Sequence, residues 1–489
     1  MSALAIKPTA HVVDVLGNVI GRDQPILRME KALEMTALIG EEVFADDNVV
    51  FFDPFCKAGE LLLACAFHSC WTKANGKSKI LDLNMVMTEI YHSNRYFGLA
   101  PDERHHRLSI RTFLGNEHSH EERFNQIIHD GHYLSEEDGT LDKKKFEKEF
   151  DSMIEYIRSK GTNKKIIAVG NPPYSENDGG GNGAAAKAVY PFFVESLIKA
   201  DGIDSFVVVI PSKWFSSGRD LKKFRDQIVA SKNIKCITYF ENSKKVFPTV
   251  NIDGGICFLN YESAYRDLPF FEDGLSPDGR SRLDLAGLDI IPDDPKAIPI
   301  LRKIQNKWGG EWVSDRAIKG RAFGPRTYYF KRNRTEDFPF PDSIPCIGTG
   351  RKRKYIERFA VTDNIDKIDN YKVCVPVVYG GRVGDQKTTL PPSAILVVEP
   401  GAIVTETYMV VYYTKDRREA ERFSEYLKTD FSRYFLGLRK LTASISWEKW
   451  KWVPLLKMNR SWNNVEIFEF FGLTKREQDH IKKKVQEWS

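Results

Sequence analysis

The stretch Ala168-Val169-Gly170-Asn171-Pro172-Pro173-Tyr174 is the most informative part of this sequence. It includes the end of the apolar run 166–169, which is typical of a strand buried on both faces of a parallel sheet. Because proline cannot donate a hydrogen bond to a sheet, the strand is expected to end there, at the carboxyl edge. Ligands of open α/β sheets bind at that edge. The sequence therefore predicts an amide side chain, free backbone carbonyls and an aromatic ring at a ligand-binding crevice.

These groups suit the exocyclic amino group of adenine, a poor nucleophile because its lone pair is conjugated with the ring. The side-chain oxygen of Asn171 and the carbonyl oxygen of Pro172 could accept its two N–H groups and direct the lone pair at an electrophile. Tyr174 could stack on the base, which must first leave the duplex. A plain turn at the end of a strand would use the same residues, so this motif alone leaves both interpretations open.

A second strand, turn and helix pattern lies upstream, over residues 49–63. Asp53 ends its apolar run, and small residues in the turn let a ligand approach backbone N–H groups at the start of the helix. Further strands are predicted at 96–100, 124–131, 206–211, 236–240 and 255–259, with no helix between the last two. The expected fold class is therefore α/β, with a mostly parallel sheet and an antiparallel edge strand.

Length and charge predict more than one domain. The chain has 489 residues and a net charge of +5, and residues 301–489 carry 36 Lys and Arg against 23 Asp and Glu. The first 300 residues must then carry a net charge of −8. A stretch rich in Asp, Pro and Gly separates the two parts. We expect a catalytic domain over 1–265, a linker over 266–300, and a basic domain over 301–489 that meets a polyanion.

The basic domain mixes cations with aromatic residues over 321–332 and 351–355. Arg and Lys neutralise phosphates, and aromatic rings fill the space between them. A charged stretch can equally be a solvated face, and the tryptophans at 447, 450 and 452 are expected to pack in a core. The residues expected to contact DNA are Arg321, Arg326, Arg351, Lys352, Arg353 and Lys354.

Composition indicates the compartment. No apolar run reaches the roughly 18 residues of a membrane span, and the N-terminus lacks the apolar stretch of a signal peptide. The seven cysteines are scattered, odd in number and form no CxxC pair, which favours a reducing cytoplasm. The histidines between 105 and 132 are irregularly spaced, so we expect solvated loop residues rather than a metal site.

Taken together, these stretches resemble the γ-type amino-methyltransferases of bacterial restriction–modification systems, which make N6-methyladenine in DNA. The order of the motifs carries the resemblance: the turn after Asp53, then Asn-Pro-Pro-Tyr, then a basic recognition domain. It covers residues 25–262 and extends more loosely to 321–330 and 426–454. It implies a Rossmann-like class I methyltransferase sheet and a C-terminal α+β target-recognition domain. It also implies S-adenosylmethionine as cofactor, no metal, double-stranded DNA as substrate, base flipping, a bacterial or phage origin, and a possible cognate restriction endonuclease.

The resemblance also implies a role for each matching residue. The target adenine would be held by Asn171, Pro172 and Tyr174, with Phe247 as a second aromatic contact. The methionine part of the cofactor would be lined by Asp53, Phe55, Cys56, Ala58 and Gly59, and its adenine would be contacted by Asp130 and Gly131.

Two positions depart from the family pattern. Lys57 stands in the turn where the family usually has a small residue. Ala100 stands where an acid usually binds the ribose of the cofactor, so Asp102 or Glu103 is expected to serve instead. The polar, Gly-rich stretch 175–183 is interpreted either as a lid over a bound base or as a plain linker.

Three other functions stay open. Asn-Pro-Pro-Tyr also occurs in methyltransferases of glutamine side chains and of ribosomal RNA, which generally have no large basic C-terminal domain. A combined methylase and nuclease would need a site of paired carboxylates with a lysine, and the sequence displays no convincing one. A non-catalytic DNA-binding subunit would need neither the cofactor turn nor the Asn-Pro-Pro-Tyr motif.

Overall fold

The chain divides into two compact units, Met1–Pro295 and Lys296–Ser489. This computed structural model describes residues 26–74, 83–114, 121–135, 140–161, 164–176, 187–216, 220–252, 254–274, 276–379, 382–383, 386–387, 390–440 and 444–485. Among the helices so described, none combines the length and the apolar character that crossing a membrane requires.

The first unit is organised around a nine-stranded sheet and a separate two-stranded hairpin. In chain order the strands are β1 (Val49–Asp53), β2 (Tyr96–Ala100), β3 (Ile128–Asp130), β4 (Lys165–Gly170), β5 (Ser175–Glu176), β6 (Lys187–Ala188), β7 (Ile203–Pro211), β8 (Ile234–Phe240), β9 (Ile256–Glu262), β10 (Phe270–Asp273) and β11 (Ser276–Arg282). The sheet has the order β11-β10-β8-β9-β7-β4-β1-β2-β3, and β5 pairs only with β6. The five neighbouring strands β3, β2, β1, β4 and β7 have the 3-2-1-4-5 order of a doubly wound sheet, with β7 counted as the fifth strand.

Helices cover this sheet and bury its strands. They are α1 (Met29–Thr36), α2 (Glu41–Ala45), α3 (Glu60–Lys73), α4 (Leu83–Ser93), α5 (Glu103–Leu114), α6 (Glu121–Ile127), α7 (Lys143–Ser159), α8 (Tyr190–Lys199) and α9 (Asp220–Ala230). Every residue of β1 and β2 is buried, as their unbroken apolar sequences predict for central parallel strands. The α/β class and the mostly parallel, Rossmann-like sheet are confirmed.

The antiparallel strands are placed differently from expectation. Strand β9, expected at the edge, pairs antiparallel with both β7 and β8 and therefore lies inside the sheet. The antiparallel edge strand is β11, which pairs with β10. Both β10 and β11 come from residues 266–300, the stretch that the sequence suggests as a linker. Their strand pairing extends the first unit into this stretch, and the unit ends at Pro295.

The first half of the strand expected at 124–131 is helix instead. Residues 121–127 form α6, and only the three residues of β3 pair with β2. Phe124 stacks on Phe113 of α5 with ring centroids 5.6 Å apart. Phe124 and Ile127, three residues apart, are both buried, so the helical period of the apolar residues outweighed their preference for a strand.

The second unit is an α+β assembly of small sheets and short helices, as expected. Its helices are α10 (Ala297–Lys307), α11 (Val313–Arg316), α12 (Tyr329–Arg332), α13 (Arg417–Lys428), α14 (Asp430–Arg439), α15 (Asn464–Phe471) and α16 (Lys475–Lys484). Its strands are β12 (Thr335–Glu336), β13 (Ser343–Ile347), β14 (Arg353–Glu357), β15 (Tyr371–Pro376), β16 (Arg382–Val383), β17 (Gln386–Lys387), β18 (Leu396–Val398), β19 (Ile403–Val404) and β20 (Tyr408–Thr414). The sheets have the orders β12-β14-β13-β19, β18-β15-β20 and β16-β17. Trp450 and Trp452 are buried, as expected for core residues, whereas Trp447 is only partly buried.

Candidate active site

Asn171 directly follows β4 and is only 1% exposed. The strand ends against the turn that follows β1: a Cβ atom on Gly170 would lie 2.5 Å from the ring of Phe55. Because only glycine allows this close approach, the end of β4 packs against Phe55 of the turn after β1. Since β4 pairs with β1 in parallel, the carboxyl ends of these two strands lie side by side.

Backbone N–H groups of the turn after β1 donate hydrogen bonds to Asp53 and to the neighbouring strand β2. Asp53 Oδ1 accepts the N–H of Phe55 at 3.0 Å, and Cys56 N–H donates to the carbonyl oxygen of Leu99 at 3.0 Å. Gly59, at a φ of +73°, provides the left-handed residue that joins the turn to α3. Ala58 N–H donates to Glu60 Oε2 at 3.2 Å. Side chains as well as backbone groups thus fix the shape of this turn.

Three charged side chains are buried together in this turn. Burial raises the pKa of Asp53 well above its ordinary value, and the nearby charge of Glu60 adds to the effect. Burial likewise raises the pKa of Glu60. For Lys57 the effect has the opposite sign: burial lowers its pKa to about 8, against the raising influence of Glu60 and Asp53. The turn therefore places two acids and one base in the same low-dielectric region.

Asp102, expected to bind a ribose, is engaged by His105. Both of its carboxylate oxygens lie 2.7 Å from His105 Nδ1, and Oδ1 also accepts the backbone N–H of His105 at 2.9 Å. Burial raises the pKa of Asp102, but the hydrogen bond and charge of His105 outweigh it and leave the pKa below its ordinary value. His105 itself is buried, so the expectation of solvated loop histidines is wrong at this position. Its Nε2 has no hydrogen-bond partner within the described residues.

The end of β3 contributes a second turn. Gly131 N–H donates to the carbonyl oxygen of Ala100 at 2.8 Å, and a Cβ atom on Gly131 would lie 3.0 Å from that oxygen. Asp130 Oδ1 accepts the N–H of His132 at 3.1 Å. Tyr133, which sequence reasoning missed, donates its hydroxyl to the carbonyl oxygen of Pro54 at 2.9 Å. That bond ties the end of β3 to the turn after β1.

Two aromatic residues of the motifs meet in the structure. The rings of Tyr174 and Phe247 lie with centroids 6.3 Å apart and planes at 67°. The carbonyl oxygen of Tyr174 accepts the N–H of Val189 at 3.0 Å. The phenol oxygen of Tyr174 is buried and lacks a hydrogen-bond partner in the described parts of the chain. The expected lid at 175–183 lies outside the described residues from 177 onward.

The side chains of Phe55 and Cys56 pack against other residues of the protein interior. The ring of Phe55 packs in an aromatic cluster, with centroid distances of 5.9 Å to Phe146 and 5.1 Å to Phe193. The sulfur of Cys56 lies 3.4 Å from the hydroxyl of Ser109 on α5. Both side chains support the turn from beneath, which leaves any ligand contact at these two positions to the backbone.

The expected DNA-contacting residues lie on two segments of the second unit. Arg351 and Lys352 lie in the exposed turn between β13 and β14, and Arg353 is the exposed first residue of β14. Lys354, the next residue, is partly buried and pairs with Asp337 at 2.6 Å. Arg321 and Arg326 are exposed on the segment before α12, where the guanidinium of Arg326 lies 5.9 Å from the ring centroid of Tyr328. Among the described side chains, Lys354 is therefore the one residue of the six that pairs with a carboxylate.

Residues 94–247 match the family model described as Eco57I restriction-modification methylase. The match contains Asp102, Asn171, Tyr174 and Phe247. The resemblance to restriction–modification adenine methylases is confirmed. A protein of Mycoplasma pneumoniae described as an uncharacterized adenine-specific methylase is 33% identical over 123 residues, which are 25% of this chain and 29% of that relative. The aligned part thus spans less than a third of this curated methylase.

Solved structures of restriction–modification proteins are similar at a lower level. The methyltransferase subunit of a type I system from Streptococcus thermophilus is 16% identical, with 50% of this chain and 45% of that chain covered and a TM-score of 0.32. The type IIG restriction endonuclease BpuSI is 10% identical, with 97% of this chain and 68% of that chain covered and a TM-score of 0.41.

Proposed function

We propose that this chain transfers a methyl group from S-adenosylmethionine to N6 of an adenine flipped out of a specific double-stranded DNA sequence, within a restriction–modification system. One observation carries the proposal: Asn171 is buried at the carboxyl end of β4, and Gly170, the residue before it, packs against Phe55 of the turn after β1. An amide acceptor and a cofactor turn at adjacent strand ends suit transfer between two bound molecules. The family match and the methylase relative support adenine as the target.

The residues present fit S-adenosylmethionine by the chemistry of their buried polar atoms. His105 Nε2, on the ring that binds Asp102, is buried without a hydrogen-bond partner among the described residues. Buried polar atoms are normally hydrogen-bonded, and a cofactor with an amino-acid part and ribose hydroxyls offers suitable partners. In this proposal Asp53, Ala58 and Gly59 hold the methionine part, and Asp130 and Gly131 hold the adenine. When bound, the cofactor supplies an activated methyl group on a sulfonium.

The side chains at the end of β4 would orient the target base. Asn171 Oδ1 and the carbonyl oxygen of Pro172 accept the two N–H groups of adenine N6, which keeps the nitrogen lone pair directed at the methyl group. Tyr174 stacks on the extruded base, and Phe247, whose ring meets that of Tyr174 edge-on, is a second aromatic contact beside it. Burial raises the pKa of Tyr174 well above its ordinary value, so the phenol stays neutral near pH 7 and acts through stacking. The proton released from N6 passes to water, because positioning rather than a strong base drives this transfer.

The basic segments of the second unit would hold the DNA backbone. Arg321, Arg326, Arg351, Lys352 and Arg353 are exposed, and a cation at each position could neutralise one phosphate. Lys354 would contribute less, because Asp337 already pairs with it at 2.6 Å. A cognate endonuclease is proposed as a partner on the strength of the restriction–modification family match.

A labelled-methyl transfer assay tests the proposal. The chain is incubated with S-adenosylmethionine labelled in the methyl group and offered bacterial DNA, RNA and a protein extract in parallel. Label is expected in DNA as N6-methyladenine and absent when Asn171→Ala replaces the wild type. Label in RNA or in glutamine side chains would instead assign one of the alternative substrates. Cleavage of unmethylated plasmid in the presence of magnesium would show a combined restriction and methylation enzyme.

A further inference from the structure

Lys57 is a buried cation in the turn after β1. Its side chain is 2% exposed, and its ammonium lies 6.0 Å from the ring centroid of Tyr174. Among the described residues, the acids that influence this ammonium act through their charge, with no hydrogen bond to it. A buried ammonium without a close anion is strongly unfavourable, so the position requires a reason beyond packing.

The acids that surround Lys57 are committed to other groups. Glu60 accepts the N–H groups of Leu27 at 3.3 Å and of Ala58 at 3.2 Å. Asp53 accepts the N–H of Phe55, and Asp102 binds His105. All three carboxylates favour the charged form of Lys57 from a distance. They hold a positive charge in the pocket without neutralising it by direct contact, which leaves the ammonium available to a further anion.

We propose that Lys57 forms an anion subsite that binds the α-carboxylate of the amino-acid part of S-adenosylmethionine. This inference rests on the proposed function for the identity of the cofactor. The amino-acid part is a zwitterion, and the turn offers the matching pair: the Asp53 carboxylate for its ammonium and the Lys57 ammonium for its carboxylate. Burial favours this source of negative charge over a DNA phosphate, because the phosphates of an extruded nucleotide stay at the protein surface. The charged hydrogen bond would strengthen cofactor binding by about 10- to 100-fold.

The subsite predicts a pH dependence with a definite sign. Burial lowers the pKa of Lys57 to about 8, so the side chain is mostly protonated below that pH and mostly neutral above it. A bound carboxylate stabilises the protonated form and raises the pKa. Affinity should therefore fall as pH rises through 8, and binding above pH 8 should take up a proton. The titratable groups that face Lys57 are Asp53, Glu60, Asp102 and the Tyr174 phenol.

Isothermal titration calorimetry with two ligands isolates the carboxylate. S-adenosylhomocysteine carries the amino-acid part, whereas 5′-methylthioadenosine has the same nucleoside without it. Lys57→Met should weaken S-adenosylhomocysteine binding by about tenfold or more and leave 5′-methylthioadenosine binding unchanged within about twofold. Lys235→Met is the matched control, because Lys235 is a partly buried lysine of the same unit that pairs with Glu262 at 2.9 Å. This control should change neither affinity.

Several outcomes would overturn the subsite. Lys57→Met could lose affinity equally for both ligands, or lose affinity for neither. The wild type could fail to bind S-adenosylhomocysteine. Lys57→Met could also bind DNA more weakly than the wild type when no nucleoside is present. If Lys57→Met shows no cooperative thermal unfolding, Lys57→Arg replaces it. The wild type should then take up a proton with S-adenosylhomocysteine at pH 8.5 and Lys57→Arg should not, as measured in buffers of different ionisation enthalpy. Equal uptake by both would also reject the proposal.

The subsite and the proposed function can fail separately. Carboxylate-selective binding without methyl transfer to DNA would keep the subsite and reject the proposed substrate. Methylation of DNA by a wild type whose two ligands bind equally well would keep the function and reject the subsite.

Discussion

The carboxyl edge of the large sheet and the turn between β13 and β14 both concentrate polar side chains, but they do so under opposite physical conditions. At the sheet edge Asn171, Lys57 and Asp102 are buried, and the carboxylate of Asp102 has specific hydrogen bonds. At the turn Arg351, Lys352 and Arg353 are exposed. Charges in a low dielectric interact strongly, whereas exposed charges are screened. Single substitutions should therefore have large and specific effects at the edge and small, additive ones at the turn.

Asn171→Ala gives the largest expected effect and tests the edge most directly. If Asn171 accepts a proton of adenine N6, its loss should lower kcat by about 10²–10³-fold or more while DNA affinity changes little. Single-turnover methylation of a short duplex measures the effect. Asn260→Ala is the matched control, since Asn260 is also a buried amide but donates to the carbonyl oxygen of Leu38 at 2.7 Å. That variant should lower the melting temperature and leave kcat near the wild-type value. Near-normal turnover by Asn171→Ala would remove the basis of the proposed mechanism.

Tyr174→Ala should have the next largest effect, on holding the extruded base. Loss of one stacking ring is expected to cost ~1–3 kcal/mol in base binding, seen as weaker binding of a duplex with 2-aminopurine at the target and a smaller fluorescence increase. Tyr174→Phe removes only the hydroxyl, which has no hydrogen-bond partner among the described residues. It should therefore preserve the fluorescence change. An equal loss in both variants would assign the effect to the hydroxyl instead of the ring.

Asp102→Asn tests whether the buried pair with His105 stabilises the edge. The pKa of Asp102 lies below its ordinary value, so the ionised carboxylate stabilises the fold above the unfolded pKa near 3.8. This contribution is lost as pH falls through the lower, folded pKa. Urea unfolding should therefore show the largest difference between wild type and Asp102→Asn near neutral pH, and a shrinking difference at acid pH. A constant difference from pH 7 to pH 3 would contradict the assigned role of the charge.

The sequence predicted the central strands better than the outer ones for a physical reason. Strands such as β1 are continuous apolar runs, because burial on both faces demands it. Strand β11 has the sequence Ser-Pro-Asp-Gly-Arg-Ser-Arg, which carries no alternation, so only its pairing with β10 makes it a strand. The local sequence is therefore enough to predict β1, whereas β11 depends on a tertiary contact that the local sequence does not show.

In the candidate site, too, some residues are indicated by the local sequence and others only by tertiary contacts. Asn171 and Asp53 stand at the ends of recognisable strands and were found from the sequence. His105 was missed, although Asp102 three residues earlier at the start of a helix is a capping pattern that could have indicated the pair. Tyr133 was also missed, and nothing in its local sequence announces a bond to Pro54, 79 residues away.

Charge substitutions at the exposed turn should give the smallest single effects and sharpen the contrast with the edge. If Arg353 neutralises one phosphate, Arg353→Gln should reduce the slope of log K against log salt by about 1 and weaken binding to all DNA sequences alike. Lys354→Gln should change the slope less, because Lys354 already pairs with Asp337 at 2.6 Å. Asp337→Asn frees that lysine, so it should steepen the slope when made in the wild type but not when made in Lys354→Gln.

Fluorescence anisotropy from 50 to 200 mM salt measures the slope for the wild type, the three single variants and the double variant. Equal slopes for Arg353→Gln and Lys354→Gln would mean that the ion pair does not govern access to phosphate. A loss confined to one DNA sequence would instead make Arg353 a base-reading residue, because phosphate contacts carry no sequence information.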